Sequence, residues 1–175
     1  MYIVLGPFGS PQDLVSAMID NTGVDIYTDG FYITMDQERK DILGGDLSDK
    51  SRDFLKELEE QASDYNSICT VLQKRRIEPL NSHVHTYISV DCSSPKAQKW
   101  VVDRALNILP GFDVSELTVR NESIVHNYHA DYVVTLEDIV EGRLVDKLKE
   151  FIDTPLDEKL YEAWLTLIHY DYPWN

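Results

Sequence analysis

The N-terminal stretch "YIVLGPFGSPQDLVSAM" constrains the fold more than any other part of the chain. Residues 1–5 are a short apolar run that stops at Gly6-Pro7, so they read as a buried strand feeding a tight turn. Residues 13–19 then place Leu14, Val15, Met18 and Ile19 on one helical face, and Asn21-Thr22-Gly23 ends that helix. Strand, glycine turn and helix in this order are how a phosphate-binding loop is built, and in a parallel sheet such a loop lies where ligands gather.

The alternation continues along the chain. Residues 24–27 and 31–34 are strand-like around Asp29-Gly30, which suits a hairpin as well as a strand-to-helix connection. Residues 51–65 carry Phe54, Leu55, Leu58 and Ala62 on one face and predict an amphipathic helix; "NSICTVLQKRR" after it fits either a helical extension or a strand. The β-branched and aromatic run "VHTYISV" at 84–90 predicts a core strand. Ser94 is a candidate N-cap and Pro95 a candidate first residue for a helix that turns Ala97, Trp100, Val101, Leu106 and Leu109 inward and stops at Pro110-Gly111. Residues 132–135 predict another core strand. Residues 136–152 predict one continuous helix with Ile139, Val140, Leu144, Leu148, Phe151 and Ile152 inward, broken by Thr154-Pro155. A last helix is expected over 157–169, before the aromatic tail "YDYPWN". The expectation is a single α/β domain over residues 1–175, three layers thick with a mostly parallel sheet.

Composition narrows the function. A chain of 175 residues with 43% hydrophobic content can bury one sizeable core and does not require a second domain. It has no apolar run of about 18 residues and no basic segment leading into an apolar one, so neither a membrane span nor a signal peptide is expected and a cytoplasmic location is. A net charge of −15 opposes unaided binding to a nucleic-acid backbone or an anionic membrane and favours a basic protein partner. Cys69 and Cys92 stand far apart without a C-x-x-C pattern and read as ordinary buried thiols. His83 with His85, and His126 with His129, form two close pairs, but no third ligand type recurs at fixed spacing and no metal site is expected.

A working phosphate loop follows G-x-x-x-x-G-K-[ST]: backbone N–H groups face the phosphates, lysine neutralises them and the hydroxyl holds Mg²⁺. Here Gly6-Pro7-Phe8-Gly9-Ser10 fills the first five positions, and Pro11, Gln12 and Asp13 stand where Gly, Lys and Ser or Thr belong. With those replacements "IVLGPFGSPQDLVSAMIDNTG" resembles the opening of the P-loop nucleoside and nucleotide kinases of the guanylate and thymidylate kinase type. Two later segments are similar to the same family in the same order: "TYISVDCSSPKAQKWVVDR", to the strand, acidic turn and helix before the arginine-bearing lid, and "HADYVVTLEDIVEGRLVDKLKEFI", to the last core strand and closing helix.

The resemblance implies a P-loop kinase-like fold and, if the activity is retained, Mg²⁺ and a nucleoside triphosphate as cofactors. It points to Gly6, Gly9, Ser10, Gln12, Asp13 and Arg104 as the nucleotide-binding set. Losing the lysine removes a charge-assisted contact, Asp13 adds a negative charge where phosphate should lie, and Pro11 deletes a backbone N–H. The turn also reads as a plain strand-to-helix connection with Asp13 capping the helix. Lys74, Arg75, Arg76 and Arg120 are further anion-binding candidates, and Tyr170, Tyr172 and Trp174 are candidate partner contacts. The leading expectation is a kinase-like protein that has lost conventional phosphoryl transfer and binds a nucleotide or a protein. One alternative is an active nucleoside or nucleotide kinase in which Arg75, Arg76 or Arg104 replaces the lysine. Another is an acidic interaction or assembly protein with no nucleotide site, a role that would suit a viral accessory protein.

Overall fold

A computed structural model describes residues 2–19, 67–70, 86–111, 113 and 119–175. Its centre is a parallel sheet of four strands: β1 (Tyr2–Leu5), β2 (Ser67–Thr70), β3 (Thr86–Asp91) and β4 (Tyr132–Thr135), in the order β2-β1-β3-β4. Tyr2 aligns with Ser67 on one side and with Thr86 on the other, and Ile88 aligns with Tyr132. The chain therefore leaves β1 for a neighbour on one side and later returns to its other side. The strand order reverses between β1 and β3, and such a reversal opens a crevice at the carboxyl ends of the strands. "SICT", which periodicity left open between helix and strand, is β2.

Helices cover both faces. Alternate strand residues point to opposite sides, so Val4, Cys69, Ile88, Val90 and Val134 share one face, and Ile3, Leu5, Tyr87 and Ser89 the other. Helix α1 (Gln12–Ile19) lies on the first face, where Ser67 Oγ donates to the Ser16 carbonyl at 2.6 Å. Helix α2 (Pro95–Ile108) follows β3, and α3 (Val119–His129) lies on the second face, where Ser89 Oγ donates to Asn127 Oδ1 at 2.6 Å. A continuous apolar core joins Val4, Val15, Met18, Ile88 and Val101 to Leu136, Ile139, Leu144 and Leu148.

The helix starts follow the capping chemistry. Ser94 Oγ accepts from Ala97 N at 3.1 Å, Pro95 opens α2 as expected, and the same hydroxyl donates to Glu137 Oε1 at 2.5 Å, tying the cap to the segment after β4. The final helix, α6 (Glu158–Asp171), starts one residue later and runs two residues further than expected. Asp157 is its cap: its carboxylate accepts from Leu160 N at 3.0 Å, while its own N–H donates to the Met18 carbonyl at 2.9 Å and fastens α6 to the end of α1.

One expectation is corrected. Residues 136–152 are two short helices, α4 (Leu136–Val140) and α5 (Leu144–Lys149), separated by a turn with Gly142 at φ +87°. Arg143 N donates to the Asp138 carbonyl at 2.9 Å and its side chain to Asp138 Oδ1 at 2.8 Å, which closes the turn. Burial raises the Asp138 carboxyl, but the hydrogen bonds from Arg143 and Thr135 outweigh it and hold the group below its ordinary range. No helix among the described residues is long and apolar enough to cross a membrane. The strand-like pieces at 24–27 and 31–34 and the helix expected at 51–65 lie outside the described residues.

The break gives a test by sign. Alanine for glycine inside a continuous helix stabilises by about 1 kcal/mol, whereas at a left-handed glycine it destabilises by about 1–2 kcal/mol. Nothing crowds an added Cβ at Gly142, so only the backbone term acts. Gly142→Ala is expected to lower the melting temperature by about 2–8 °C for a chain of this size; a rise would restore the single helix.

Candidate functional site

The loop that follows β1, beside the point where strand order reverses, is packed within the chain itself. Residues Gly6 to Gln12 are all buried, and the turn is closed by Ser10 N donating to the Pro7 carbonyl at 2.9 Å. Gly9 adopts φ +90°, a conformation open to glycine and strained for other residues. It also sits directly against α2: a Cβ there would collide with the Val101 carbonyl and lie 2.9 Å from Ala105 Cβ. At Gly6 a Cβ would collide with Ser10 Oγ and come within 2.9 Å of Gln12 Oε1. The Ser10 and Gln12 side chains, each 2% exposed and hydrogen-bonded to one another, thus fill the space over Gly6.

Arg104 reaches this loop from α2. Its Nη1 donates to the carbonyls of Gly9 at 3.1 Å and Ser10 at 2.8 Å, and its Nη2 to the Asp13 carboxylate at 3.1 Å. The Arg104 side chain is 12% exposed and that of Asp13 49%, so the cation is largely enclosed by its partners. Two consecutive carbonyls converge on a guanidinium, which is the reverse polarity of a phosphate cradle, where N–H groups converge on an anion. Asp13 is not the helix cap: α1 begins at Gln12, and Asp13 lies in its first turn, where a carboxylate is favoured by the helix dipole and here also holds Arg104.

The remaining candidates are dispersed. Arg120 is exposed at the start of α3; Lys74, Arg75, Arg76, His83 and His85 lie outside the described residues. His126 is buried on α3, and His129 meets Tyr128 edge-on at 5.1 Å. Among the described residues no group of three His, Cys, Asp or Glu could hold a metal. Tyr172 and Trp174 fold back on the core. The Tyr172 ring centre lies 5.7 Å from that of Trp100, its carbonyl accepts from Trp100 Nε1 at 3.3 Å, and its hydroxyl meets Asn107. Trp174 Nε1 donates to Glu141 at 3.0 Å and Lys96 Nζ stands 4.2 Å from its ring centre. Tyr170, by contrast, is 88% exposed. What sequence reasoning missed is the approach of α2 to Gly9; a small residue, Ala105, one turn after Val101 was the available signal.

Cys69 and Cys92 are both free and buried. Burial pushes the Cys92 thiol well up, and Asp91 and Glu137 add to the effect, so the thiolate needed for nucleophilic or redox chemistry is suppressed. No protein-family model matches the chain, and it matches neither a curated protein nor a solved structure.

Two outcomes follow from this geometry. Arg104→Ala strands two loop carbonyls and one carboxylate and is expected to destabilise by about 1.5–3 kcal/mol, read from urea midpoints. Arg104→Lys should recover less than half of that, because a single ammonium nitrogen cannot stand at both the Nη1 and the Nη2 positions of the planar fork. In native protein Cys92 should resist alkylation by iodoacetamide at neutral pH and become reactive in urea.

Proposed function

We propose that this chain is a P-loop-kinase-like protein whose phosphate loop has become an internal joint, and that it acts by binding a basic protein partner and not by phosphoryl transfer. The observation that carries this reading is the filled loop: the Ser10 and Gln12 side chains pack over Gly6 in a turn whose residues are all buried, which leaves no open cradle at Gly6. Three features support it. The strand, glycine turn and helix sit where strand order reverses in a parallel sheet, the position at which related folds bind nucleotides. Arg104, the cation nearest to the resemblance's expectation, is held by Gly9, Ser10 and Asp13. The net charge of −15 repels a polyphosphate and attracts a basic surface.

Thermal unfolding with ATP, GTP and deoxynucleoside phosphates, with and without Mg²⁺, tests the reading. A ligand at a hundred times its Kd stabilises by about 2.7 kcal/mol, or roughly 5 °C or more for a chain of this size. The expected shift is below about 1 °C for every nucleotide. A shift of several degrees that needs Mg²⁺ would restore a nucleotide-binding role.

A further inference from the structure

Helix α6 buries one apolar side and exposes two large apolar side chains on another. Tyr161, Trp164, Leu165 and Ile168 face the core, with the Tyr161 hydroxyl donating to the Ile139 carbonyl at 2.5 Å. On the other side Ala163, Thr166, Leu167 and Tyr170 are all exposed and follow the i, i+3, i+4, i+7 spacing of a single stripe. Leu167 is 66% exposed and Tyr170 88%. Scattered surface hydrophobics need no explanation, but a leucine and a tyrosine in one helical row form the kind of anchor row through which helices recognise one another. At 100° per residue, Glu162 borders the row on one flank and Asp171 on the other, and Lys159 continues the row one turn before Ala163.

Charge selects the occupant. Residues 136–175 contain ten Asp or Glu against four Lys or Arg. Three of those cations, Arg143, Lys147 and Lys149, are ion-paired within the same segment, to Asp138 and Glu141, to Glu150 and to Glu158. Beside the row itself Glu162 and Asp171 stand against Lys159, and the segment as a whole is acidic. A second copy of the chain would set −15 against −15, whereas a basic partner gains from the same field.

We infer that the Ala163–Thr166–Leu167–Tyr170 row is the docking face for a basic amphipathic helix of a partner protein. Leu167 and Tyr170 enter the partner's apolar side, and Glu162 and Asp171 meet its Lys or Arg residues. This rests on the binding role proposed above and gives it a surface and a partner chemistry.

The test uses the full chain and a labelled amphipathic Leu/Lys peptide of about five helical turns, roughly 18 residues, with a scrambled peptide of the same composition and a Leu/Glu analogue as controls. Fluorescence anisotropy should show the Leu/Lys helix binding, more weakly at high salt, and the controls binding at least tenfold less. The double variant Leu167→Ala, Tyr170→Ala should lose about tenfold or more in affinity while melting within about 1 °C of the parent, as exposed substitutions do. Glu162→Gln with Asp171→Asn should act chiefly on the association rate. Unchanged affinity in the double alanine variant would overturn the assignment of this face while leaving a binding role elsewhere on the acidic surface. Equal binding of the scrambled peptide would overturn it too, by reducing the interaction to charge alone. A dimer detected by sedimentation and abolished by the alanine pair would make the occupant a second copy and refute the basic partner. Nucleotide-dependent stabilisation, by contrast, counts against the proposed function itself and is read independently of these variants.

Discussion

The carboxyl end of the sheet is organised by one guanidinium. A loop that turns through Gly9 at φ +90° and is buried on all sides must satisfy its carbonyls without water, because an unpaired buried carbonyl costs about 1–3 kcal/mol. Arg104 does this for two consecutive carbonyls and reaches Asp13 as well. The arrangement depends on α2 coming close enough, and it comes close because Gly9 has no side chain where the Val101 carbonyl and Ala105 stand. The placement of α2 is in turn set by the Ser94 cap directly after β3, which is held to Glu137 beyond β4. Loop, helix and both later strands are thus linked through a few polar contacts, and removing the cation would disturb them as a set.

What was legible in the sequence is what local chemistry decides. Ser94-Pro95 announces a helix start because a hydroxyl cap and a fixed φ act within one turn, and β1, β3 and β4 are legible because apolar runs bounded by turn residues have few other uses. The break at Gly142 was passed over for a physical reason. The turn returns Arg143 N to the Asp138 carbonyl, so the two short helices keep Ile139, Val140, Leu144 and Leu148 on the same side. The apolar period survived the interruption, and only the glycine marked it. At the site, the kinase resemblance grouped Gly6, Gly9, Ser10, Gln12, Asp13 and Arg104 as a nucleotide-binding set. Arg104 does meet Gly9, Ser10 and Asp13, but whether it would face an anion or the loop's own carbonyls depends on backbone direction, which residue identity does not encode.

The aromatic tail illustrates the same limit. Tyr170, Tyr172 and Trp174 are alike in composition, yet Tyr172 packs beside Trp100 and Trp174 bonds to Glu141, whereas Tyr170 projects from α6 into solvent. Helical phase separates them: Tyr170 falls on the row of Ala163 and Leu167, and the chain beyond Asp171 leaves the helix and turns back. Reading the tail as one unit by its aromatic content could not make that distinction. Reading α6 residue by residue could, because its apolar positions are too many for one buried face.

The filled loop and the acidic surface both bear on the proposed function. A nucleotide kinase must draw a polyphosphate into its crevice, and it does so with a local cation strong enough to overcome the field of the rest of the protein. Here Arg104 is already neutralised by Asp13 and held by carbonyls, so among the described residues no cation identified at the loop offsets a net charge of −15. With a Debye length of about 8 Å at physiological salt, that field acts mainly over the last few contacts, which is where a triphosphate would have to settle. A basic helix meeting α6 experiences the opposite sign over the same distance. The acidity that opposes a polyphosphate at this loop is therefore the same property that favours the proposed basic partner at the exposed row.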